Sequence, residues 1–154
     1  MKIAHTPSSF FGIPQGASLN KKSLDKDRIT HIVNFSRTAR CNMHSNIEYL
    51  CFQDTRGGRE MTKHVDLLDQ AVEFIESARK SGGRAMSHCW HGMNRSVTVL
   101  VAYLMKYESM TAEEANDLIK QTRPQADPYW EALTKYSEDY LSGGGGKGEQ
   151  EENT

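Results

Sequence analysis

Short apolar runs and stretches of helical apolar periodicity follow one another along most of this chain. Residues 29–36, ITHIVNFS, make a β-rich run suited to a buried central strand. Residues 46–53, NIEYLCFQ, make a second strand candidate that ends just before Asp54-Thr55-Arg56-Gly57-Gly58-Arg59. The two adjacent glycines predict a mobile loop there. From about Thr62 to Lys80, Val65, Leu68, Val72 and Ile75 recur at helical spacing, and Leu67, Ala71, Phe74 and Ala78 widen the face. Ser81-Gly82-Gly83 breaks that helix, and RAMSH (84–88) predicts a short strand running into Cys89. After Arg95, SVTVLVAYLMKY is apolar nearly all round, the pattern of a helix buried in the core.

Two more helices carry start signals. Thr111-Ala112-Glu113-Glu114 reads as a capping box. Asp127-Pro128 reads as an N-cap followed by proline at the first helical position. Strands interleaved with helices, then a helical C-terminal third, predict an α/β domain with a mostly parallel central sheet flanked by helices. One domain is expected over residues 1–141. Residues 142–154, Gly-rich and then acidic, are expected to form a disordered tail.

Composition narrows the function classes. A chain of 154 residues with 37% hydrophobic and 25% charged residues is long enough to bury a core. Its formal net charge of −1 gives no general reason to expect nucleic acid or an anionic membrane as partner. No apolar run approaches the roughly 18–20 residues that span a bilayer. The three cysteines, Cys41, Cys51 and Cys89, show no metal-ligand spacing. An odd count suits a reducing compartment, cytosol or nucleus, where a thiol stays reactive.

The chemistry concentrates in His88-Cys89-Trp90-His91-Gly92-Met93-Asn94-Arg95-Ser96. A cysteine six positions before an arginine is weak by itself; here the cysteine ends a strand, a glycine lies mid-loop and the arginine opens a helix. Such a loop can turn backbone N–H groups inward to make a concave anion site. Gly92 allows backbone angles closed to other residues, and Arg95 offers a planar fork matching two phosphate oxygens. The same environment favours a thiolate at Cys89.

This stretch resembles the His-Cys-x5-Arg-Ser/Thr signature of the protein tyrosine phosphatase superfamily. RSVTVLVAYLM, MTAEEANDLIKQTRP and WEALTKY downstream, with FFGIPQGASLN and ITHIVNFS upstream, resemble its dual-specificity branch over about residues 8–140. The resemblance implies a protein phosphatase acting on phosphotyrosine and phosphoserine/threonine, without metal or other cofactor, with phosphorylated proteins as partners. It implies that Cys89 attacks phosphorus, Arg95 holds the equatorial oxygens, Ser96 donates to the sulfur and His88 orders the loop. Asp54, 35 residues before Cys89, takes the place of the general acid.

Two positions depart from that branch: His91, where alanine is usual, and Asn94, where serine is usual. His-Cys-x-His-Gly-x-Asn-Arg is similar to the cysteine-type RNA 5′-triphosphatases, although Ser96-Val97 replaces their Thr-Gly. An RNA 5′ end is therefore the alternative substrate, and a phosphoprotein-binding scaffold a third reading. Arg123, before Pro124, is a candidate contact for a second phosphate, and Cys41 or Cys51 for a disulfide with Cys89; the plainer reading of both cysteines is strand core.

Overall fold

The computed structural model describes residues 12–14, 20–35, 43–52, 57–89 and 93–142. Asp54, Arg56, Trp90, His91, Gly92, Cys41 and the tail from residue 143 lie outside them.

Four short strands, β1 (Gly12–Pro14), β2 (His31–Asn34), β3 (Glu48–Cys51) and β4 (Ala85–Cys89), form one sheet in the order β1-β4-β2-β3. All three pairings are parallel. The two central strands, β2 and β4, are buried at every position, the polar His31, Asn34, Ser87 and His88 included, as expected when both faces of a parallel sheet are covered. Alternation then sorts their side chains. Val33 and Ala85 join the larger core, while Ile32 and Met86 join a smaller cluster with Leu24, Ile29 and Ile47.

Among the described residues, six helices follow or precede these strands. Leu24 of α1 (Lys21–Lys26) covers the smaller cluster. The larger core receives residues from α2 (Gly57–Lys63), α3 (Val65–Lys80), α4 (Arg95–Tyr107), α5 (Ala112–Lys120) and α6 (Trp130–Tyr136), which runs into a π-helical segment, Ser137–Leu141. In α4 every residue from Ser96 to Leu104 is buried, as the all-round apolar pattern predicts. Replacing one of its large apolar side chains with alanine is expected to cost about 2–5 kcal/mol.

The helix boundaries hold both agreements and corrections. Thr111 caps α5 as a complete box: Glu114 N–H donates to Thr111 Oγ1 at 3.1 Å, and Thr111 N–H donates to Glu114 at 2.9 Å. Helix α3 stops where Gly82 takes φ +77° and Gly83 passes so close to Thr30 that a Cβ would sit 2.3 Å from its Oγ1. Gly57 and Gly58, expected in a mobile loop, instead begin α2, which breaks from α3 at His64. Glycine is tolerated there because a first helical turn is fixed by fewer intrahelical hydrogen bonds. Asp127 does not cap α6; the helix begins at Trp130 with Tyr129 at its N-cap. The peptide groups of Asp127 and Tyr129 are engaged elsewhere, as described next.

Candidate active site

The carboxyl ends of parallel strands, where strand gives way to helix, are where open α/β sheets place their ligand crevices. Cys89 is the last residue of β4, between Pro14 of β1 in the sheet register and the chain leaving β2. Its side chain is buried, and its Sγ lies 3.3 Å from Ser96 Oγ on the first turn of α4. Ser96 is fully buried, so this hydroxyl is held to the sulfur rather than to water.

Arg95 opens α4 and is anchored by Nη1, which donates to the Phe35 carbonyl at 2.6 Å. Phe35 follows β2 and is itself fastened by its N–H to the His88 carbonyl at 2.9 Å, while its ring stacks on Phe52 at 4.9 Å. The arginine is thereby fixed to the strand beside the one that delivers the cysteine. A thiol at a strand end, a buried hydroxyl on its sulfur and an anchored guanidinium at a helix start suit attack on a tetrahedral oxyanion.

The model of the dual specificity phosphatase catalytic domain matches residues 10–139. The chain belongs to that family. It is 35% identical over 112 residues to dual specificity protein phosphatase 1 of Arabidopsis thaliana, covering 73% of this chain and 56% of that one. It is 31% identical over 123 residues to human dual specificity protein phosphatase 18, covering 78% and 64%. The chain thus spans little more than half to under two-thirds of the length of these relatives. Among solved structures, human DUSP28 superposes with a TM-score of 0.73 at 26% identity, covering 85% of this chain and 92% of that one.

Within this dual-specificity phosphatase domain, His88 sits on β4 directly before the cysteine. It is buried, its Nδ1 has no hydrogen-bond partner among the described residues, and burial lowers its pKa to about 4. A neutral imidazole there adds no charge to the thiol's surroundings.

Two residues of the α5–α6 connection are influenced electrostatically by the cysteine. Arg123 lies within electrostatic reach of Cys89; burial pushes its guanidinium below the usual range and a charge on the cysteine opposes that. Tyr129 senses both members of the pair: burial pushes its hydroxyl up, Arg95 pulls it down, and Cys89 and Asp127 push it up. Arg123 was legible as a candidate because of Arg123-Pro124. Tyr129 was not, since nothing local marks it; only the fold brings it over residues 89 and 95.

Asn94 is taken up in a contact of its own. Its Nδ2 donates to the Asp127 carbonyl at 2.7 Å, so the side chain that distinguishes this loop is tied to the α5–α6 connection. Cys51 is disulfide-bonded, whereas Cys89 is a thiol; the sulfur paired with Cys51 lies outside the described residues. The Cys51–Cys89 disulfide allowed by the sequence is therefore not formed, and Cys51 is not a simple core thiol.

Proposed function

We propose that this domain is a protein phosphatase that hydrolyses phosphotyrosine and phosphoserine/threonine through a phosphocysteine intermediate, without metal or other cofactor. The observation that carries the reading is the buried Cys89–Ser96 pair beside an anchored Arg95, at the carboxyl end of a parallel strand. Cys89 attacks phosphorus in line. The loop of residues 88–95 and the Arg95 fork take the equatorial oxygens, most strongly as charge builds in the transition state. Asp54 protonates the departing oxygen, then takes a proton from the water that hydrolyses the intermediate. Ser96 Oγ, which accepts from the Cys89 thiol at 3.3 Å, turns its hydroxyl to donate a hydrogen bond to the sulfur as the thiolate leaves.

The partners of this reading are phosphorylated proteins. The catalytic unit ends near Leu141, with residues 142–154 as a tail outside it. Cytosol or nucleus is the setting expected from the Cys89 thiol, although the disulfide at Cys51 is uncommon in a reducing compartment. No helix among the described residues is long and apolar enough to cross a membrane. The RNA 5′-triphosphatase alternative rests on His91 and Asn94, and the Asn94 carboxamide donates to the Asp127 carbonyl.

The test is phosphate release, in EDTA, from a doubly phosphorylated Thr/Tyr peptide and from 5′-triphosphate RNA at matched concentrations, with Cys89→Ser beside each. Faster release from the peptide, abolished by the substitution, is the expected result. Faster release from RNA, or full activity of Cys89→Ser, overturns the reading.

A further inference from the structure

Asn94 stands at the N-cap of α4, where an asparagine side chain ordinarily accepts from amides of its own first turn. Here it makes no such bond, with φ −112° and ψ −71° at that residue. Its Nδ2 instead reaches 33 residues along the chain to the Asp127 carbonyl at 2.7 Å. The other side of the same residue is also held, because Asp127 N–H donates to the Met93 carbonyl at 2.9 Å. One turn on, buried Thr98 completes the arrangement: Oγ1 donates to the Asn94 carbonyl at 2.7 Å and accepts from Tyr129 N–H at 2.9 Å.

These four hydrogen bonds run from Met93 to Asp127, Asn94, Thr98 and Tyr129, and fasten the end of the phosphate loop to the α5–α6 connection. That connection carries Arg123 and Tyr129, whose ionisation is influenced by Cys89. We propose that Asn94 and Thr98 are positioning residues that hold the loop and its facing wall in the geometry that binds the phosphoryl group. The proposal rests on the phosphatase reading and deepens it. It gives Asn94 a role in binding competence through the protein's own backbone, with no contact to the reacting atoms. It also accounts for Asp127 and Tyr129 withholding their peptide groups from an earlier start to α6.

A tie between loop and helix serves stability as well, so the test needs a readout that stability alone would not move. Cys89 in the full chain is alkylated with iodoacetamide, its modification followed by mass spectrometry, and the inorganic phosphate that half-protects it is measured. Asn94→Ala and Thr98→Val are expected to raise that concentration about five- to tenfold, the worth of one hydrogen bond. Thr98→Ser, which keeps the hydroxyl, returns it to within twofold of wild type. The double variant Asn94→Ala/Thr98→Val raises the concentration further than either single, because one substitution removes the bond to the Asp127 carbonyl and the other the bonds of Thr98 Oγ1. Urea unfolding confirms that each variant is folded; if Thr98→Val is not, half-exposed Asn94→Ala and Thr98→Ser decide.

Protection curves that coincide in wild type and folded Asn94→Ala overturn the proposal, as does a wild type that phosphate does not protect. Turnover of the phosphopeptide is measured in parallel. Protection without turnover in wild type removes the phosphatase reading while the positioning role stands. Turnover with unchanged protection in Asn94→Ala removes the positioning role alone.

Discussion

Cys89 Sγ and Ser96 Oγ, seven residues apart in sequence, meet at 3.3 Å, and both residues are buried. The contact spans the phosphate loop from the end of β4 to the first turn of α4. It places a hydroxyl beside the sulfur that, in the proposed mechanism, becomes the leaving group.

The first prediction follows from that contact. Ser96→Ala removes a hydrogen bond to a developing thiolate, worth about 1.5–3 kcal/mol, so breakdown of the phosphocysteine slows by about 10- to 100-fold. With p-nitrophenyl phosphate in rapid mixing, the variant should show a burst of one nitrophenol per enzyme followed by a slow steady state. A single linear phase at the wild-type rate would remove Ser96 from the second step.

Protonation of the leaving oxygen matters most for a poor leaving group. Asp54→Asn should therefore lower kcat on a phosphoserine peptide by about 10²- to 10⁴-fold, and do so less on the good leaving group of p-nitrophenyl phosphate. Equal losses on both substrates would mean that Asp54 binds rather than protonates.

His88 sets a pH dependence of stability. In the folded protein its pKa is lowered to about 4 by burial, against an ordinary value of 6.5. Between those values the unfolded chain binds the extra proton, so stability rises with pH there. The contribution is present above about pH 6.5 and is lost as pH falls toward 4. About 2 kcal/mol should disappear between pH 7.5 and pH 5. Urea unfolding at both pH values checks this against His88→Asn, whose loss over the same interval should be smaller by that amount; an identical loss in the two proteins contradicts it.

Away from the site, Tyr103 OH donates to the buried carboxylate of Glu76 at 2.8 Å, and Arg79 Nε donates to the same oxygen at 2.9 Å. These groups join α4 to α3 inside the core. Tyr103→Phe keeps the ring and leaves Glu76 one donor short, which should cost about 1–3 kcal/mol and leave kcat/KM on the phosphopeptide unchanged. Denaturant unfolding beside steady-state kinetics separates the two effects.

Much of the fold could be read from the chain because it is encoded over one or two turns. The apolar stripe of residues 65–78, the Thr111–Glu114 box and the glycine stop at 82–83 all rest on neighbours within a few residues. The first-turn glycines of α2 and the start of α6 were misread for the complementary reason. Local chemistry favoured a loop at Gly57-Gly58, where the first turn of α2 asks little of a glycine, and a cap at Asp127, whose peptide group is instead taken by Met93 and Asn94.

The sequence by itself singled out the candidate reacting groups, because the span from Cys89 through Arg95 to Ser96 is contiguous and a strand–loop–helix passage can bend only a few ways. It also determined the α/β class through the periods of its apolar residues. The tertiary structure decided the strand order, since parallel pairing depends on how crossover helices pack and not on the strands' own residues. It decided that Arg95 is anchored on Phe35, 60 residues away, and that Asn94 turns from its own helix toward Asp127. Those bonds depend on which surfaces the core brings together, and no local pattern of residues carries that information.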